Sequence, residues 1–157
     1  MKLLAVSALV CAVVVLTNAA AYHDLFKRQS GEWTVVGNHQ YLYVEYPQTW
    51  TEAEQNCHQL GGHLASVHSH FDNHQIRLLV TRMTGGNPEA WLGGSDQYRE
   101  GNWGWNDGSS WNFKNWCNDQ PNNSGDQDCL QMNHSSDHCW NDWPCSTPLP
   151  SVCGKPK

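Results

Sequence analysis

Residues 116–145 read WCNDQPNNSGDQDCLQMNHSSDHCWNDWPC. Four cysteines, Cys117, Cys129, Cys139 and Cys145, stand inside this run. Between them Gln120, Asn122, Asp126, Gln127, Asp128, Asn141 and Asp142 crowd oxygen-bearing side chains into a short span. Amide and carboxylate oxygens without imidazole suit a hard cation such as calcium. Pro121 restricts the backbone so that its neighbours' side chains are held toward one spot. The EF-hand run of alternating Asp residues is absent. Asn, Asp and Gly are also the usual turn formers, and composition by itself favours that plainer account.

Outward from this run, cysteine count sets the redox setting. Of 7 Cys, Cys11 falls in the N-terminal apolar stretch Leu3–Leu16, which follows Lys2 and precedes Ala19, Ala20 and Ala21. A basic start, a short apolar run and an Ala-x-Ala site have the layout of a secretory signal peptide over residues 1–21. The run is shorter than the roughly 20 residues a membrane span needs. Lys27-Arg28 marks a second candidate cleavage point, giving a propeptide to residue 28; two solvated charges in a tail are the alternative. Loss of Cys11 leaves 7 − 1 = 6 Cys, an even number that reads as three disulfides in an exported chain. Spacing leaves about 15 connectivities open. Cys-x-x-Cys pairs are missing, which argues against structural zinc.

The chain has 157 residues, with 39% hydrophobic and only 15% charged. It is one domain plus processed ends, too polar for a multi-span membrane protein. A net charge of −6 with nine Lys and Arg argues against a nucleic-acid partner, since phosphate contacts need cations. Residues 32–46 predict a hairpin turning at Gly37-Asn38 and ended by Pro47. Thr49 with Glu52 forms a capping box that starts a helix carrying Trp50, Ala53, Cys57 and Leu60 on one face, stopped by Gly61-Gly62. Leu64–Val67 is a short apolar segment. Ser69 with Asp72 starts a second helix, with Phe71, Leu78 and Leu79 on its buried side and Gly85-Gly86 at its end. After Pro88 the chain becomes short apolar pieces among Gly, Asn, Asp and Ser, which is strand and long loop. The fold class is α+β.

Several segments taken together resemble the C-type lectin domain family, and within it small secreted fish lectins and type II antifreeze proteins. They are WTEAEQNC (50–57), LASVHS (64–69), WLGGSD (91–96), WGWNDGSSWNFKNW (103–116), QPNN (120–123), DCLQM (128–132), CWNDWPC (139–145) and SVC (151–153). The resemblance spans Trp33 to Cys153. It implies a domain over residues 29–157 with two helices, antiparallel sheets and a long disulfide-framed binding loop. It also implies the pairings Cys57–Cys153, Cys129–Cys145 and Cys117–Cys139. Gln29 and Gln40 stand where many relatives carry a further pair.

In this family a calcium ion bridges protein and sugar. Carried over by motif, the Ca2+ ligands are Gln120, Asn122, Gln127, Asn141 and Asp142, with the Asp142 carbonyl added. The same resemblance makes Gln120, Asn122, Asn141 and Asp142 the sugar-contacting residues, and Trp143 a platform for the apolar face of the sugar. Glycans or glycoproteins are the implied partners, self-association for avidity a further option, and catalysis is not implied. Two departures bear on this. Gln120-Pro121-Asn122 matches neither the mannose nor the galactose motif, and Gln127 replaces the usual Glu. The five ligands then include one carboxylate, Asp142, so the site is weak unless Asp126 or Asp128 contributes.

An ice-binding protein on the same fold is the main rival, and a calcium-independent protein-binding domain a third. No Gly-x-Ser-x-Gly nucleophile motif suggests an enzyme. His70 and His74, four apart on a predicted helix with His58, His63 and His68 nearby, have zinc-compatible spacing, although solvated histidines are the plainer account. Sequons occur at Asn122 and Asn133. A glycan on Asn122 would block the calcium site, so that sequon is expected to be unmodified.

Overall fold

The computed structural model describes residues 32–157. The expected signal peptide, Lys27-Arg28 and Gln29 lie outside these described residues.

The hairpin forms around Gly37, whose φ of 59° supplies the left-handed turn. Strand β1 is Thr34–Val36 and β2 is His39–Gln48, paired in register Val36↔His39. Pro47 does not end β2. It lies inside the strand, within the register shift between Val44 and Gln48, where the missing N–H costs no ladder bond. Tyr41 to Val44 are all buried rather than alternating, because both faces of β2 are covered.

Helix α1, Trp50–Gln59, opens with the predicted capping box: Glu52 N–H donates to Thr49 Oγ1, and Thr49 N–H donates to the Glu52 carboxylate at 3.0 Å. Trp50, Ala53 and Cys57 are its buried face. The turn into β3 (His63–Leu64) presses on β8: a Cβ on Gly62 would lie 2.5 Å from the Gly154 carbonyl oxygen.

Helix α2, His70–Thr84, is capped by Ser69 and closed by Gly85 at φ 74°. Its buried residues are Ile76, Leu79 and Val80. Phe71, expected inside, is 59% exposed, and Leu78 is half-buried. At about 100° per residue, Phe71 and Leu78 fall within about 20° of each other and roughly opposite Ile76. The helix has two apolar stripes, and the one carrying Ile76, Leu79 and Val80 meets the core, as expected for Leu79.

The remaining strands are β4 (Ala90–Ser95), β5 (Gly104–Trp105), β6 (Cys129–His134), β7 (Cys139–Trp143) and β8 (Leu149–Pro156). Hydrogen bonding joins eight strands in the order β1-β2-β8-β4-β6-β7, with β3 on β8 and β5 on β4. The antiparallel expectation holds except at Trp91↔Ser151, where β4 meets β8 in parallel. The sheet is therefore mixed.

All three implied disulfides are present: Cys57–Cys153, Cys117–Cys139 and Cys129–Cys145, with Cα separations of 5.4, 5.0 and 5.2 Å. Gln40 sits on β2 opposite Lys155. Among the described residues no helix is long and apolar enough to cross a membrane.

Candidate functional site

Between β5 and β6 the chain runs from residue 106 to 128 without a regular strand or helix, apart from one bridge between Trp116 and Trp140. So long an irregular segment needs anchors. Aromatic packing supplies the first. Trp140, fully buried on β7, meets Trp111, Phe113 and Trp116 at centroid distances of 6.2, 5.6 and 5.9 Å. Trp103 and Trp105 extend the cluster. These tryptophans are core, holding the loop from beneath. Backbone bonds add to this: Trp140 N–H donates to Asn115 O at 2.7 Å and Cys117 N–H to Trp140 O at 2.9 Å. The Cys117–Cys139 and Cys129–Cys145 bonds then clamp both loop ends to the β6–β7 hairpin.

On that base the loop closes over Asp142, the fully buried penultimate residue of β7. One carboxylate oxygen, Oδ2, accepts the backbone N–H groups of Asn122 at 3.0 Å and Asn123 at 2.6 Å. The next residues fold on themselves. Ser124 N–H donates to Asn122 Oδ1 at 2.9 Å and to Gln127 Oε1 at 3.0 Å, and Gln127 N–H donates to Asn123 Oδ1 at 2.8 Å. Asn123 and Asp126 adopt positive φ, 47° and 66°, which Asn and Asp tolerate better than most residues. The Gln120-Pro121 peptide is cis.

The structure thus links Asn122, Gln127 and Asp142, three of the five sequence-predicted cation ligands, through one hydrogen-bond network. Gln120 and Asn141 flank it along the chain. Three side-chain oxygens, Gln120 Oε1, Asn141 Oδ1 and Asp142 Oδ1, are buried with no hydrogen-bond partner. A buried orphan oxygen is costly unless a donor or a cation satisfies it. These three belong to predicted ligands; other unpartnered buried oxygens, among them Gln48 Oε1, Gln131 Oε1 and Asn133 Oδ1, lie outside the predicted set. The chemistry of the three, two neutral amides and one carboxylate, is that of a calcium-type donor set.

Trp143 is half-buried and packs against the cluster of Cys57, Trp91, Cys129 and Cys153. Its ring is partly committed to the core, which leaves less of its face for a ligand than a free aromatic would offer.

Negative charge beside the network comes from residues outside the predicted ligand set. Asp128 is raised above the ordinary carboxylate range by burial and then by Asp126 and Asp142. Asp96, at the start of the turn after β4, is 3% exposed. Burial pushes its carboxyl up to about 6, with the charges of Glu100 and Asp128 adding to the rise and the Gly101 N–H bond opposing it. Asp96 Oδ1 has no partner, while Oδ2 accepts Gly101 N–H at 2.8 Å. Glu100 reaches the loop directly, accepting from Asn123 Nδ2 at 2.7 Å. Asp96 and Glu100 were not reached from the sequence, although Asp96 sits in the WLGGSD segment with Glu100 four residues on. A lone Asp in a Gly-rich turn gives no periodic signal.

The sequons differ. Asn122 is exposed, whereas Asn133 is 4% exposed with its Nδ2 donating to Pro88 O at 2.9 Å. The zinc-spaced pair on α2 is not assembled into a site. His70 meets the edge of Phe113, and Nδ1 of His74 faces the Arg77 guanidinium at 3.3 Å.

A mixed sheet in which β2 pairs with the C-terminal β8, two helices and a disulfide-framed loop over a β-hairpin together define a lectin-like fold. Residues 46–155 match the Lectin C-type domain, and the chain belongs to that family. It is 35% identical to the Type-2 ice-structuring protein of Hemitripterus americanus, covering 96% of this chain and 98% of that one. It is also 33% identical to Ladderlectin of Oncorhynchus mykiss, covering 96% and 92%. Among solved structures it resembles a Ca2+-dependent type II antifreeze protein in its Ca2+-free form (TM-score 0.72, 33% identity, 78% of this chain and 96% of that one). A calcium-independent type II antifreeze protein is similarly near (TM-score 0.72, 35%, 79% and 91%).

Proposed function

We propose that this is a secreted, calcium-dependent carbohydrate-binding lectin that recognises terminal sugars through the loop over Asp142. The observation that carries the reading is the set of three buried, unpartnered oxygens on Gln120, Asn141 and Asp142. Gln120, Asn122, Gln127, Asn141 and Asp142 would hold the ion, which when bound offers coordination positions to two adjacent hydroxyls of a sugar. The side chains of Gln120 and Asn122 then orient the diol, and Asn141 and Asp142 anchor the cation. Asp128 and Asp126 supply the charge that Gln127 lacks, because calcium affinity rises with ligand charge. The partners are glycans or glycoproteins, and no covalent bond is broken.

Ice binding is the second reading. Its support is the likeness, over nearly the whole chain, to a protein named for structuring ice. The two readings separate by experiment. Glycan-array binding that disappears with chelator and returns with Ca2+ supports the lectin. Thermal hysteresis in its place, with an empty array at saturating Ca2+, would replace it.

A further inference from the structure

Away from the loop, three metal-ligating side chains meet. Glu54, His58 and His63 present ligand atoms that all lie within 4.8 Å of one another. Glu54 and His58 are four residues apart on α1 and so share a face. His63 comes from β3, across the Gly61-Gly62 turn. The carboxylate is already oriented. Glu54 Oε2 accepts Leu64 N–H at 2.8 Å, and Oε1 lies 2.7 Å from Nδ1 of His63. The rings of His58 and His63 meet edge-to-face, with centroids 4.6 Å apart.

The elements that carry these groups are cross-linked. Cys57, next to His58, bonds to Cys153, and β3 pairs with β8 at His63↔Gly154 and Leu64↔Cys153. Little backbone freedom is left to lose when an ion is gripped, and pre-organisation of this kind favours binding. Two imidazoles and a carboxylate form a nitrogen-rich donor set suited to zinc, whereas calcium prefers oxygens alone. Tetrahedral zinc bonds of about 2.0–2.2 Å place ligand atoms about 3.3 Å apart. The ligand atoms here, all within 4.8 Å of one another, bracket that spacing, with the Glu54–His63 pair at 2.7 Å.

We propose that Glu54, His58 and His63 form a zinc-binding site, separate from the loop over Asp142. Zinc there ties α1 to β3, and the Leu64 N–H bond to Glu54 serves as the supporting contact that fixes the carboxylate. His58 and His63 also line a groove of about 710 Å³ bordered by Ser66, His68 and Asp107. The fourth coordination position can open onto it, available to water or an anionic group.

The test is titration calorimetry of the secreted chain with Zn2+ as the titrant, in excess Ca2+. His58→Ala leaves the Glu54–His63 pair intact, so the domain stays folded. Wild type is expected to bind one equivalent in this site and His58→Ala to bind it at least about tenfold more weakly. His70→Ala and Asp142→Asn should match wild type. Zinc binding that is absent, displaced by Ca2+, or unchanged in His58→Ala would overturn the proposal and leave a Glu54–His63 hydrogen-bonded pair only.

Discussion

Asp142 carries two tasks that can be pulled apart. Its Oδ2 holds the loop by accepting the Asn122 and Asn123 N–H groups, while its Oδ1 is the carboxylate oxygen among the three unpartnered oxygens of the predicted ligands. Asp142→Ala removes both. Two N–H groups lose a buried, charged acceptor, and hydrogen bonds to charged groups contribute about 1.5–3 kcal/mol each. Water entering the opened loop recovers part of that, so a net cost of about 2–4 kcal/mol is expected. For a domain of this size that corresponds to a fall of roughly 8–20 °C in the melting midpoint. The three disulfides keep the remainder folded. Asp142→Asn keeps an acceptor of the same shape and should cost about 1 kcal/mol, while losing the charge that calcium needs. The assay is paired thermal melts with and without Ca2+. Asp142→Asn should melt within a few degrees of wild type in chelator, yet gain nothing from Ca2+. Asp142→Ala melting like wild type in chelator would show that the loop does not rest on this carboxylate.

Three further outcomes follow from the same geometry. Asp96 has a folded-state pKa of about 6, above its unfolded value, so the folded chain holds the extra proton between about pH 4 and 6. Without Ca2+, stability should therefore fall as pH rises through that window; Asp96→Asn should flatten the dependence and stabilise the pH 8 form relative to wild type, read from denaturant midpoints. Neither sequon should carry a glycan, Asn133 because its amide is buried and bonded to Pro88 O; intact-mass spectrometry decides this, and a glycan on Asn133 would contradict the packing there. Replacing both Cys117 and Cys139 by Ser should cost about 2–4 kcal/mol and open residues 117–128 to protease before the rest of the domain; even cleavage along the chain would count against a separately clamped loop.

What could be read in advance was local or covalent. Thr49 with Glu52, Ser69 with Asp72 and Gly85 announce both helices, because caps are decided within four residues. The disulfide pairings came through family likeness and are all present. Burial was less legible. Phe71 is larger than Ile76 or Val80, yet the face that meets the sheet is chosen by the whole helix, and a second apolar stripe misleads a short window. Pro47 reads as a strand end, but a register shift accommodates it. The oxygen-rich run around Gln120 and Asp142 was visible as composition. The approach of Glu100 to Asn123, and of His63 to Glu54, depends on chain segments 23 and 9 residues apart that only the fold brings together.

The most direct measurement is calorimetric titration of the mature domain with Ca2+, followed by sugar binding before and after chelation. A saturable uptake lost in Asp142→Asn, with sugar binding that vanishes in chelator, is the predicted result. No heat of Ca2+ binding, and a sugar or protein partner retained in chelator, would contradict it.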